Sequence, residues 1–265
     1  MLYLSESDLR FLVETVVTNR RDYDHIVNLI RDKEDLLEPM LEDPKLAERL
    51  FRDEETFVRI SPYLLFSVLL RRVRMDLEKE AYVFEIESSG KRIPVFEASA
   101  VAELLGNKEI CNYLAQMLVS FVRTNSGVIY WKERGSWHKR RFSDIDIDDM
   151  VELARIIDPE MRPALYRRIA DLALFMSGIF PDHATRLTAH PTSTLSFRRT
   201  LEDYEQQAKR FYHVAEQQPD EAHLRPVLAL LAEQFTLARR ALNTLSDRYL
   251  KTFRMRYFDL PAQNG

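Results

Sequence analysis

Two apolar series near the end of this 265-residue chain step by three and four. Phe197, Leu201, Tyr204, Ala208, Phe211 and Ala215 form the first. Leu228, Leu231, Phe235, Ala238, Leu242, Leu245 and Tyr249 form the second. A period near 3.5 held over several heptads places every member on one stripe of a helix, and that stripe must be covered. Gln217-Gln218-Pro219-Asp220 lies between the series. The simplest arrangement of residues 197–255 is therefore a long antiparallel helix pair packed through those positions. Pro226 either opens the second helix or kinks its first turn.

The run from Leu165 to Asp182 sets a second constraint. It is apolar and helical in pattern, yet Asp171 stands inside it. Burying a lone carboxylate costs on the order of several kcal/mol, so Asp171 needs a partner. Arg167 and Arg168, one turn earlier, are the local candidates for this buried charge. Pro163 suits the start of the helix, and Gly178 reads as its C-cap.

Residues 5–77 read as helices. Ser5 with Asp8 resembles a capping box ahead of a Leu9, Leu12, Val13, Val16 stripe. A break falls near Asn19–Asp24, and Ile26, Leu29 and Ile30 restart the pattern. Pro39 and Pro44 punctuate an acidic stretch before Leu46, Leu50 and Phe51 mark a short helix. Pro62 opens another helix, reaching Leu77.

The period then changes. Tyr82–Glu87 alternates, Ser88–Lys91 turns, and Ile93–Phe96 returns, a β-hairpin with Pro94 on an edge. Helices follow over Ala98–Leu105 and Lys108–Arg123, broken at Gly106 and Asn107. A second hairpin runs out over Val128–Lys132, turns at Arg134–Ser136 and returns over His138–Phe142. Helices resume at Asp148, where two carboxylates suit a helix N-terminus. Residues 183–196, rich in Thr, Ser, His and Pro, read as a loop. The fold class is mainly α: a multi-helix chain with two small β-hairpins. One boundary falls near residue 145, leaving residues 146–265 all-helical.

Composition narrows the function. Forty-six per cent apolar residues suffice for a core without disulfides, and the single Cys111 fits a reducing cytoplasm. Six glycines are few for a fold built on glycine-rich phosphate loops. No apolar run reaches the ~20 residues that span a bilayer, and Met1–Val17 lack a signal-peptide pattern, so no membrane association is expected. A net charge of −4 argues against non-specific nucleic-acid binding by the whole chain.

No catalytic signature is present. Asp144–Asp149 begins like a calcium loop, but its sixth and twelfth positions hold Asp149 and Arg155 instead of Gly and Glu. The six histidines form neither HxxxH nor HExxH, and Cys111 has no CxxC partner, so no metal or other cofactor is expected. Arg20 and His25 have the Arg-x4-His spacing of the helical HEPN ribonucleases, a two-residue match.

The second hairpin is the exception in charge. Its segment Trp131–Phe142 interleaves aromatic residues with Lys132, Arg134, Lys139, Arg140 and Arg141. Two helices precede it, the order of a winged helix-turn-helix whose wing meets phosphates. Docking of this hairpin on the acidic N-terminal helices explains the charges equally well.

Three stretches stand out between residues 162 and 249: Tyr166–Asp171 with Leu174–Phe180, Asp203-Tyr204 with Phe211-Tyr212 and Ala215, and Leu231–Phe235 with Leu242-Asn243 and Leu245-Ser246. Through them the chain resembles an uncharacterised family of bacterial proteins. The resemblance implies a helical bacterial cytosolic protein. Together these readings point to a non-enzymatic interaction or scaffold protein, acting on a protein partner or on itself. Nucleic-acid binding through the basic hairpin is the alternative, and a HEPN-like ribonuclease a more distant one.

Overall fold

The computed structural model describes residues 4–19, 22–31, 33–52, 60–86, 91–123, 126–133, 136–181, 200–251 and 258. The fold is mainly α, with two separate two-stranded antiparallel sheets. Two compact units form. One holds residues 1–81 and 98–120, the other residues 82–97 and 121–265. This division departs from a boundary at residue 145, because the first hairpin joins helices far downstream in sequence.

In the first unit α1 (Glu6–Val16), α2 (Tyr23–Ile30), α3 (Glu34–Leu41), α4 (Pro44–Arg52) and α5 (Pro62–Leu77) are joined by α6 (Ala98–Gly106) and α7 (Lys108–Ser120). Asp8 organises two helix starts. Its Oδ2 accepts from Ser5 N at 3.0 Å, closing the capping box of α1. Its Oδ1 accepts from Ser61 N at 2.8 Å, at the N-cap of α5. This explains a fully buried aspartate: its oxygens satisfy helix-terminal N–H groups that would otherwise lack acceptors. Helix α5 is buried on nearly every face, and the Leu9–Leu12–Val13 stripe of α1 is buried as well. Pro39 lies inside α3 rather than ending a helix, close enough to its C-terminus that only the last turn follows. Asn107 caps α7, accepting from Glu109 N and Ile110 N.

The second unit begins with the hairpin β1 (Val83–Ile86) and β2 (Arg92–Val95), paired Val83 to Val95 and Phe84 to Pro94. The basic hairpin follows as β3 (Ser126–Glu133) and β4 (Ser136–Ser143). Helices α8 (Ile147–Ile156), α9 (Arg162–Ile179), α10 (Leu201–Glu216), α11 (Arg225–Glu233) and α12 (Phe235–Leu245) complete it. Asp146 caps α8 by accepting from Asp148 N and Asp149 N, leaving those two carboxylates in the first turn.

Helices α10 and α11 run antiparallel, as two bonds at opposite ends show. Arg225 Nε donates to Glu216 O at 2.9 Å, while Thr236, at the start of α12, donates to Glu205 at 2.8 Å. Pro226 sits in the first turn of α11 and opens it. The second apolar series is divided at Gln234. Its first half packs on α10, its second half mainly on α9. Phe197 lies outside the described residues, as do residues 183–196.

Gly178 is not a C-cap. Helix α9 continues to Ile179, and the glycine lies where Leu242 of α12 packs against it. A Cβ there would lie 2.6 Å from Leu242 Cβ. The carbonyl groups at this end of α9 are satisfied across the crossing. Ser246 Oγ donates to Ile179 O at 2.8 Å, and the Asn243 amide donates to Gly178 O at 2.7 Å. Nearby, the rings of Phe121 and Phe175 stack at 4.3 Å, with Phe180 and Phe258 edge-on to Phe175.

Candidate functional site

Asp171 is buried in α9, and the hydroxyl of Tyr212 on α10 donates to its Oδ1 at 2.9 Å. Arg168 reaches Asp144 at 3.4 Å and lies over the ring of Phe121 at 3.6 Å. Burial lowers the pKa of Arg168, although the charges of Asp144 and Asp171 oppose the shift. Arg167 is half-buried one position earlier. Tyr212 was invisible to local helix spacing, because it comes from a helix 41 residues away.

The basic positions lie on a real hairpin. The register sets Lys132 against Trp137, Lys139 against Tyr130, Arg140 against Ile129 and Arg141 against Val128. Lys139 is exposed. Arg134 lies outside the described residues, as do the side chains of Lys132, Arg140 and Arg141. Of the Arg20/His25 pair, His25 is exposed in the first turn of α2 and Arg20 lies outside the described residues.

Beside Asp8, the first unit buries the charge of Arg71. Arg71 of α5 donates to Glu38 through Nε at 2.7 Å and Nη2 at 2.9 Å, a two-point carboxylate contact. It also donates to Ser67 O, Asn112 Oδ1 and, at 3.6 Å, to Cys111 Sγ. Burial pushes the Cys111 thiol up, beyond what the Arg71 charge recovers, so the reactive thiolate is disfavoured. The cluster ties α3, α5 and α7 together. Among the described residues no group of three or more His, Cys, Asp or Glu is placed to hold a metal ion. No described helix is long and apolar enough to cross a membrane.

The arrangement most suited to binding is the β1–β2 hairpin. Val83 and Ile86 are buried, and Glu85 is held by two arginines of α12. Arg240 meets Glu85 Oε2 through Nε at 3.0 Å and Nη2 at 2.5 Å, and Arg239 meets Oε1. Burial alone would raise the Glu85 pKa; the hydrogen bonds and charges of Arg239 and Arg240 outweigh it and hold the carboxyl below its ordinary range. Glu97 pairs with Arg240, and Arg92 with Asp247 at 2.5 Å. Arg239 is 3% exposed, and its Nε and Nη1 find no acceptor, which makes the Glu85 contact more important to it.

The Glu85 and Glu97 pairs fix one face of the hairpin, and the Arg92–Asp247 pair holds its turn end. On the outside Tyr82, Phe84 and Phe96 are 40%, 46% and 76% exposed. The ring of Tyr82 stands edge-on to Phe84 at 5.3 Å and to Phe96 at 5.9 Å, so the three form one cluster, with exposed Pro94 opposite Phe84. The alternation of residues 82–87 carries a signal for part of this, since it puts Tyr82 and Phe84 on one strand face. It does not say which face meets water. Comparison of the chain with family models, curated proteins and solved structures finds no match.

Proposed function

We propose that the protein is a non-enzymatic interaction protein that docks a protein partner on the aromatic face of the β1–β2 hairpin. The observation that carries this is the pairing of an exposed Tyr82–Phe84–Phe96 cluster with a backbone clamped by Glu85, Glu97 and Arg92. Apolar area left in water is worth about 25 cal/mol per Å² when a partner covers it. Aromatic residues dominate such contacts, and a rigid platform spares the ordering cost of binding. A bacterial, cytoplasmic setting belongs to the same reading, in keeping with a buried free thiol at Cys111.

The test compares partner capture by wild type and by Phe84→Ser/Phe96→Ser, with circular dichroism as the control for fold. Both side chains are substantially exposed, so the double variant should keep its helicity and lose the captured protein. A variant that captures the same partner as wild type refutes the assignment.

The second reading keeps nucleic acid as the ligand of β3–β4, supported by exposed Lys139 beside Arg140 and Arg141 on one strand. It requires a duplex or single strand to bind wild type and the affinity to fall steeply with salt. Loss of binding in Lys139→Glu with the Phe84/Phe96 variant unaffected would favour it over the docking surface.

A further inference from the structure

A cleft of about 660 Å³ opens in the second unit among α8, α9 and α10. It lies within the size range of small-ligand sites, about 300–1,000 Å³. Three of its lining residues are arginines: Arg155 at the end of α8, Arg162 at the start of α9 and Arg210 on α10. Among the described lining residues the one carboxylate is Asp203, and it already closes the capping box of α10, accepting from Thr200 N at 2.8 Å and Thr200 Oγ1 at 3.0 Å.

The arginines keep donors to spare. Arg155 uses Nη1 on Glu152 in an exposed pair, and Arg162 uses Nε on Ile157 O at 3.3 Å. Arg210 is exposed and makes no hydrogen bond or ion pair among the described residues. One apolar feature completes the site: the rings of Tyr166 and Phe211 stack at 5.7 Å and form a wall.

We infer that this cleft binds a phosphate ester of nucleotide size. Guanidinium forks match the geometry of phosphate oxygens. The Tyr166/Phe211 wall calls for a flat or apolar group on the same molecule. A nucleoside monophosphate carries both. This site is separate from the hairpin surface and does not depend on it.

The test is calorimetric titration of the full chain with AMP, ribose 5-phosphate, inorganic phosphate and adenosine. AMP should bind at least about tenfold tighter than inorganic phosphate, because phosphate lacks the flat group, and adenosine should bind more weakly than AMP. Arg210→Glu should weaken AMP about tenfold or more and leave the melting temperature unchanged, since Arg210 supports no structural contact. Absence of AMP binding at roughly 10 mM, where even a Kd of ~1 mM gives near saturation, overturns the inference. So does equal affinity for AMP and phosphate, or an Arg210→Glu variant that binds AMP normally. Because Phe84 and Phe96 take no part, these outcomes are independent of the partner-capture result.

Discussion

A methyl group added at Gly178 would sit 2.6 Å from Leu242 Cβ and 2.9 Å from Leu242 Cδ1. The first distance decides the outcome, because a Cβ cannot swing away as a side-chain tip can. Gly178→Ala gains about 1 kcal/mol of helix propensity, but overpacking in a rigid core costs about 1–3 kcal/mol. Here the helices must separate, which also strains the bonds from Asn243 and Ser246 to the end of α9. The expected result is a net loss of about 1–2 kcal/mol in chemical denaturation. Leu242→Ala should not rescue it, since the clashing atom remains. Wild-type stability in Gly178→Ala would show that the crossing is looser than the distance implies. The glycine was legible in the sequence, its purpose was not: a helix-end glycine more often relaxes the backbone, and only the position of Leu242 distinguishes the two uses. Asp171 is a similar case. The cost of burying it was readable from its apolar neighbours, whereas the hydroxyl of Tyr212 came from another helix.

At the scale of elements, alternation marked the first hairpin, a turn between two strand-like runs marked the second, and heptad spacing marked the C-terminal helices, because each pattern is local. Two things escaped. The apolar stripe continues through Gln234, since α11 and α12 bury the same face, and the change of partner from α10 to α9 leaves no trace in it. The anchor of the first hairpin was hidden as well, because Glu85 and Arg239 lie 154 residues apart. That anchor has a pH signature. The folded-state pKa of Glu85 is lowered, so folding favours its ionised form. The stability it contributes is complete above the ordinary carboxylate value near 4.3 and is lost as pH falls from there through the lower folded value. Glu85→Gln should therefore cost about 1–3 kcal/mol at pH 7, by leaving the buried Arg239 without its acid. The gap between wild type and variant should close on acidification below about pH 4. A gap that stays constant down to pH 2–3 would mean that the carboxylate charge contributes little.

At the scale of the whole chain, the units follow packing partners and not sequence order. The order of elements suggests a boundary near residue 145, where hairpins give way to helices, and such a cut removes three supports from the helices that follow. It takes away Phe121, whose ring stacks on Phe175, and Asp144, which pairs with Arg168. It also takes away residues 82–97 and with them Glu85, the acid that faces Arg239 and Arg240. Residues 121–265 alone keep the first two supports and lose the third. Residues 82–97 joined through a flexible Gly/Ser linker to residues 121–265 keep all three. Thermal melts of these fragments should rank in that order, with the joined fragment highest. Residues 146–265 should fall at least about 3 kcal/mol below it, since loss of a buried phenylalanine alone costs about 3–5 kcal/mol. The fragment without residues 82–97 should fall between them, with Arg239 buried and its acid gone. Equal melting of residues 146–265 and the joined fragment would show that the helices hold themselves together, and that neither Phe121 nor the hairpin belongs to their folding unit.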